Sequence, residues 1–231
     1  MNTILSGDLF VDTTYMDASG TFKAATTKET TKRLKLKINN TYFDLNGERK
    51  LETFPLVDGS GQYTVTLYKQ VLGRTYVMAG RVRLIAKLAD DDVAFTSPNQ
   101  WVDYNGLSPW ILTAHQACKG LFGADAYEAI CRLIECNIRY DYIKALRVKA
   151  GERPDIERCW DTQMGTCQDI AALATSMMRA RGIPARLVIG KADRKAHAWV
   201  LATVERKLVL YDPTVAITGG RVKKYEKERV Y

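Results

Sequence analysis

Three residues of unlike type stand in an order that could perform nucleophilic chemistry: Cys167, His197 and Asp212. A thiol at neutral pH is mostly protonated, and only the thiolate attacks well. Two devices activate it: a helix N-terminus, whose unpaired N–H groups favour negative charge, and a neighbouring imidazolium. Cys167 follows Gly165-Thr166 at the head of a helical pattern, which supplies the first device. His197, one of only two histidines, lies thirty residues further on at the head of HAWVLATV and could supply the second. Asp212 follows fifteen residues later, just before Pro213, at the end of KLVLYD. If these two runs are antiparallel neighbours, Asp212 can accept a hydrogen bond from the imidazole and fix its tautomer. Each residue also has a plain structural reading: a small core cysteine, a histidine beside Trp199, an Asp-Pro-Thr turn opener. Taken singly they leave both readings open; their order and spacing are the more specific signal.

The elements that must position them are legible. In 165–186, Ile170, Leu173, Ala174, Met177 and Arg181 recur at helical spacing, with Met178 widening the apolar side. Arg179 and Arg181 suit the C-terminal dipole, Gly182 can take the left-handed cap, and Pro184 forbids continuation. Asp169 caps the first turn. Three strands are expected next, ARLVIG (185–190), HAWVLATV (197–204) and KLVLYDPT (207–214), the last two joined by Glu205-Arg206. Upstream, Ser108-Pro109 opens one helix, and Tyr127, Ile130, Cys131, Ile134 and Ile138 mark another that begins near Asp125.

The first part of the chain has period two instead. RLKLKI (33–38) alternates Leu34, Leu36 and Ile38 with basic residues. Further short runs at 41–45, 51–56, 62–71 and 75–88 are punctuated by Asn39-Asn40, Asn46-Gly47, Asp58-Gly59-Ser60-Gly61 and Gly73. Short strands between regularly spaced turns predict a small β-sandwich-like domain. The expected organisation is an arm over 1–21, this β domain over 22–100, and a catalytic domain over 101–231.

Composition bounds the rest. The 231 residues suit one ordinary domain or two small ones. No apolar run approaches the ~20 residues of a membrane span, and the N-terminal stretch lacks a signal-peptide pattern. A cytoplasmic location is expected, or a surface or secreted one if a leader has been removed. The net charge of +8 is dispersed among acidic residues, without the basic and aromatic stripe of a nucleic-acid surface. Five cysteines without C-x-x-C spacing and only two histidines give little for a structural zinc site, so no metal and no cofactor is expected. Cys118, Cys131, Cys136 and Cys159 read as reduced thiols in or near packed surfaces. His115 reads as a solvated or satisfied helix residue, and Lys191, Arg194 and Lys195 as a solvated loop.

Four blocks in order, G-x-C-x-D-x-A-x-L (165–173), G-I-P-A-R (182–186), H-A-W (197–199) and D-P-T (212–214), resemble the transglutaminase-like superfamily of papain-like cysteine enzymes. The likeness covers roughly 125–214. Tyr140-Asp141-Tyr142 and FPLVDGSGQYTV (54–65) are similar to what bacterial, clostridial-type members carry. The resemblance implies an α+β fold, a papain-like core of helices packed on an antiparallel sheet. It makes Cys167 the nucleophile, His197 the general base and acid, and Asp212 its orienter. The substrate would be a protein or peptide amide, handled through a thioester and passed to water or an amine. The backbone N–H of Cys167 would form part of the oxyanion hole, with Gln163 and Trp160 as candidates for the second donor by proximity in sequence. Val200-Leu201 departs from the polar or acidic residue that many members carry after H-A-W, and the lack of C-x-x-C pairs argues against the peptide:N-glycanase branch. The alternative is an inactive module that binds a protein or cell-wall partner; the intact set of three residues argues against it. Oligomeric state is not encoded.

Overall fold

Alternation in the first part produces strands wherever one face can be buried. In the computed structural model, which describes residues 2–149 and 151–231, Leu34, Leu36 and Ile38 are buried while Lys35 and Lys37 are only half-buried. The chain divides into two units, Met1–Ala94 and Phe95–Tyr231.

In the first unit the elements are β1 (Thr3–Ser6), β2 (Leu9–Asp12), α1 (Met16–Ser19), β3 (Thr21–Thr26), β4 (Leu34–Ile38), β5 (Thr41–Leu45), β6 (Glu52–Pro55), β7 (Gly61–Leu72) and β8 (Thr75–Ala86). They form two four-stranded antiparallel sheets, β1-β2-β3-β6 and β5-β4-β7-β8. Phe54 of the first sheet lies edge-on to Phe43 of the second and stacks on Phe22, both with ring centroids 5.8 Å apart. Apolar residues from both sheets thus share one core, which is what the alternating pattern demands. Residues 3–12, within the stretch read as an arm, form two strands of the first sheet, and the division falls at Ala94 rather than near residue 100.

The second unit contains α2 (Pro109–Ala117), α3 (Gly123–Asn137), β9 (Arg139–Tyr140), α4 (Tyr142–Ala145), α5 (Ile156–Thr162), β10 (Met164–Gly165), α6 (Cys167–Ala180), β11 (Ala185–Ala192), β12 (Lys195–Val204), β13 (Lys207–Tyr211), α7 (Pro213–Thr218) and β14 (Tyr225–Val230). It is a mixed helix and antiparallel-sheet fold, with sheet order β13-β12-β11-β14. Helix α6 packs on β11 and β12 and is surrounded by α2, α3, α5 and α7. Its burial is nearly all-round: every residue from Asp169 to Arg179 is buried. The one-sided amphipathic helix of the sequence pattern is therefore the central helix of the unit.

Arg179 illustrates the difference. It is 2% exposed rather than solvated at the helix end. Its guanidinium donates to the carbonyls of Ala185, Ser97 and Tyr231 at 2.7–2.8 Å. Burial lowers its pKa to about 10. The end of α6 follows its sequence signals closely. Gly182 has φ 74°, its N–H bonds to Arg179 O, and Ile183 N–H bonds to Met178 O. That is a Schellman closure, and glycine accommodates the left-handed turn without strain.

The hairpins β11-β12 and β12-β13 turn on two non-glycine residues each at positive φ, Asp193-Arg194 and Glu205-Arg206, the conformation that matches strand twist. Lys191 pairs with Glu228 at 3.2 Å while both remain about half exposed, and His115 is exposed beside Arg181. All five cysteines are free. Cys118 and Cys159 are buried and Cys131 partly so, but Cys136 is exposed on α3, because its position falls on the solvent side of the helical stripe. No helix among the described residues is long and apolar enough to cross a membrane.

Candidate active site

The head of α6 is fixed by Asp169. Its carboxylate is fully buried, and Oδ2 accepts from the Thr166 N–H, the Thr166 hydroxyl and the Lys144 ammonium, each at 2.8 Å. Oδ1 accepts from the Asp155 N–H at 2.8 Å. The expected first-turn cap is thus also the tie between α4, the segment before α5, and α6. Gly165 lets these parts close up. A Cβ there would lie 2.5 Å from Cys159 Sγ and 3.0 Å from Asp169 Cβ. Cys167 emerges as the first residue of α6, half-buried, at the positive end of a fourteen-residue helix.

His197 reaches the same place from the sheet. It lies on β12 opposite Gly190 of β11. Strand β13 runs antiparallel beside β12, with Val200 opposite Tyr211, so the next residue, Asp212, comes up alongside the imidazole. Asp212 Oδ2 lies 2.7 Å from His197 Nε2. Its other oxygen, Oδ1, accepts the Val215 N–H at 3.0 Å and caps α7. The Asp-Pro-Thr segment is therefore a helix start whose capping residue also holds the histidine. Cys167 and His197 line one cavity, and the cysteine is close enough to act on the charge of the imidazole. Asp212 thus occupies Nε2 and leaves Nδ1 of the ring unengaged by it.

The electrostatics follow from these contacts. Burial by itself would lower the His197 pKa, but the bond to Asp212, the neighbouring Cys167 and the charges on both outweigh it and raise the value to about 9. For Asp212, burial would favour the neutral acid. The bonds from His197 and the Val215 N–H win, aided by Tyr225, and hold the carboxyl below its ordinary range. The result is an imidazole inclined to carry its proton and a carboxylate inclined to stay ionised.

Two aromatic residues near the site lie outside the four blocks, and of these only Tyr140 belongs to a stretch already noted, Tyr140-Asp141-Tyr142. Tyr225 of β14 donates its hydroxyl to Asp212 Oδ2 at 2.8 Å and packs on Trp199, centroids 4.9 Å apart. Strand β14 is an exposed edge strand, YEKERV, whose charged sequence lacks the alternation that would reveal it. The only local hint of Tyr225 is its aromatic ring in a basic run. Tyr140 lines a cavity of about 230 Å³ with Cys167 and His197. The remaining walls include Ala145, Val148, Ile189 and Ala198. Gln163 and Trp160 do not line this cavity. Trp160 lies in the last turn of α5, and Gln163 is that helix's left-handed C-cap with φ 55°. The structure thus brings Cys167, His197 and Asp212 together and leaves Gln163 and Trp160 outside their cavity.

Residues 114–213 match the family model of the transglutaminase-like superfamily. Among solved structures, a candidate cysteine protease from Cytophaga hutchinsonii superposes with a TM-score of 0.51 at 17% identity, over 99% of this chain and 78% of that one. A candidate protease from Parabacteroides distasonis gives 0.39 at 16% identity, over 66% and 37% of the two chains. Red sea bream transglutaminase gives 0.39 at 11%, over 84% and 48%. The chain spans about half the length of the red sea bream enzyme. At such identities the likeness to the Cytophaga protein concerns the fold. No curated protein matches the sequence. The match to the transglutaminase-like superfamily thus falls on residues 114–213, the stretch that holds α6 and the strands β11, β12 and β13 beside it.

Proposed function

We propose that the chain is a cysteine enzyme that acts on protein or peptide amides through a thioester on Cys167, with His197 and Asp212 completing a triad. The observation that carries this reading is the position of His197. It is bonded to Asp212 at 2.7 Å and lines one cavity with Cys167, a cysteine at a helix N-terminus.

The steps follow from ordinary acyl-transfer chemistry. The sulfur of Cys167 attacks the amide carbon as a thiolate paired with protonated His197, and the carbonyl π electrons move to oxygen. As the first residue of α6, Cys167 has a backbone N–H with no carbonyl one turn earlier in the helix, so this N–H is free to bind that oxygen. Collapse breaks the C–N bond, and the departing amine takes the proton from His197, leaving a thioester and a neutral imidazole. A water or an amine then gives its proton to His197 as it attacks the thioester. Collapse expels Cys167 as thiolate and restores the ion pair. Asp212 keeps the ring oriented and stabilises the imidazolium. Hydrolysis is the outcome when no amine competes, because water is always at hand.

The test is to incubate the protein with glutamine-containing peptides, with and without a primary amine, and follow hydrolysed and amine-linked products by mass spectrometry. The reading expects product with wild type and none with Cys167→Ala. Wild type that yields neither product, or a Cys167→Ala variant that works equally well, overturns it.

A further inference from the structure

An oxygen that gains charge beside Cys167 needs more than one donor to be held well, and the two candidates nearest in sequence do not face the cavity. Among the described residues that line it, four side chains other than Cys167 carry a polar hydrogen. His197 is engaged by Asp212 at 2.7 Å and serves as the base of the proposed chemistry. The Thr166 hydroxyl donates to Asp169 at 2.8 Å, and that residue is 2% exposed. The Gln168 amide is turned to the carbonyl of Glu152 at 3.1 Å. The hydroxyl of Tyr140 has no hydrogen-bond partner among the described residues.

Local structure fixes Tyr140 relative to the nucleophile. Strands β9 and β10 pair in parallel with Tyr140 opposite Gly165, two residues before Cys167. Two backbone bonds of 2.8 Å, Arg139 N–H to Gln163 O and Asp141 N–H to Gly165 O, bracket the pairing. The ring is braced edge-on by Tyr142, centroids 4.9 Å apart. We propose that the Tyr140 hydroxyl is the second oxyanion donor, acting with the Cys167 backbone N–H, and so is a catalytic residue of the amide chemistry proposed above, on which this assignment rests. It donates a hydrogen bond that strengthens as the carbonyl oxygen becomes negative, and it keeps its proton throughout. Burial first, and then the charge of Cys167, hold its ionisation above the ordinary phenol value, so it stays a donor across the working pH range.

The test is Tyr140→Phe, measured in three ways on the full chain. The assignment expects kcat to fall roughly 10²–10³-fold with KM little changed, the loss typical of one oxyanion donor. It expects the affinity for a peptide aldehyde, whose adduct with Cys167 carries the same oxygen, to fall by a comparable factor. Alkylation of Cys167 by iodoacetamide forms no oxyanion, so its rate should stay within about twofold of wild type, as should the midpoint of unfolding. Loss of less than about threefold in both kcat and aldehyde affinity overturns the assignment while leaving the triad intact. A parallel drop in alkylation rate or stability also overturns it, because Tyr140 would then be acting on the shape of the site. Wild type that neither turns over nor captures the aldehyde overturns both this assignment and the function beneath it.

Discussion

Replacing Asp212 by Asn separates the charge of that residue from its shape. Asn retains an oxygen to accept the Val215 N–H, so the cap on α7, worth about 1 kcal/mol, is kept. What it removes is the negative charge 2.7 Å from His197 Nε2, on a side chain only 4% exposed. In the wild type that charge and its hydrogen bond are the leading forces opposing burial, and together with Cys167 they raise the imidazole from 6.5 to about 9. Without them only Cys167 still opposes burial, and the pKa of the ring falls back toward its ordinary value. A change of about two units corresponds to roughly 3 kcal/mol in the preference for the protonated ring. The sign of the stability effect follows. A pKa raised on folding adds stability that is fully present below about pH 6.5 and is lost as pH rises through about 9. Wild type should therefore lose on the order of 3 kcal/mol of this contribution between those values, and Asp212→Asn should show most of that slope gone. The assay is proton NMR of the imidazole resonances against pH, assigned with a His115→Gln variant since the chain has only two histidines, with urea melts at matching pH. An Asp212→Asn protein whose His197 still titrates near 9 would refute the reasoning.

Two further substitutions probe the frame that holds the site. Gly165→Ala places a methyl 2.5 Å from Cys159 Sγ and 3.0 Å from Asp169 Cβ; overpacking of that kind costs about 1–3 kcal/mol. Urea unfolding should show the loss and iodoacetamide labelling of Cys167 should change, whereas a variant with wild-type stability would mean that the contact relaxes freely. Arg179→Met strands three carbonyls that the guanidinium now satisfies, and should lower stability by roughly 3 kcal/mol or more. A denaturation midpoint within experimental error of wild type would show those carbonyls to be solvated.

Much of the frame was readable because it depends on local rules. The strands of the first unit follow from alternation such as Leu34-Lys35-Leu36-Lys37-Ile38, with each apolar residue buried. The end of α6 at Gly182-Ile183-Pro184 follows from backbone chemistry that only certain residues permit. Burial all around α6 was not readable. Arg179 is polar by type, and only the surrounding carbonyls of Ser97, Ala185 and Tyr231 make its burial tolerable. Strand β14 was missed for a related reason. An exposed edge strand needs no apolar face, so nothing in YEKERV had to alternate.

The sequence by itself determined the candidate groups. A cysteine at a helix start, a histidine at a strand head and an aspartate before Pro213 are set by residue type and short-range pattern, and their order along the chain is specific. Tertiary structure alone decided which atoms meet. The register of β12 on β13 brings Asp212 to His197, β14 brings Tyr225 to Asp212, and the parallel pairing of β9 with β10 brings Tyr140, rather than Gln163 or Trp160, into the cavity of Cys167. Those contacts join residues far apart in the chain, and their distances depend on sheet register and helix packing, which local composition does not encode.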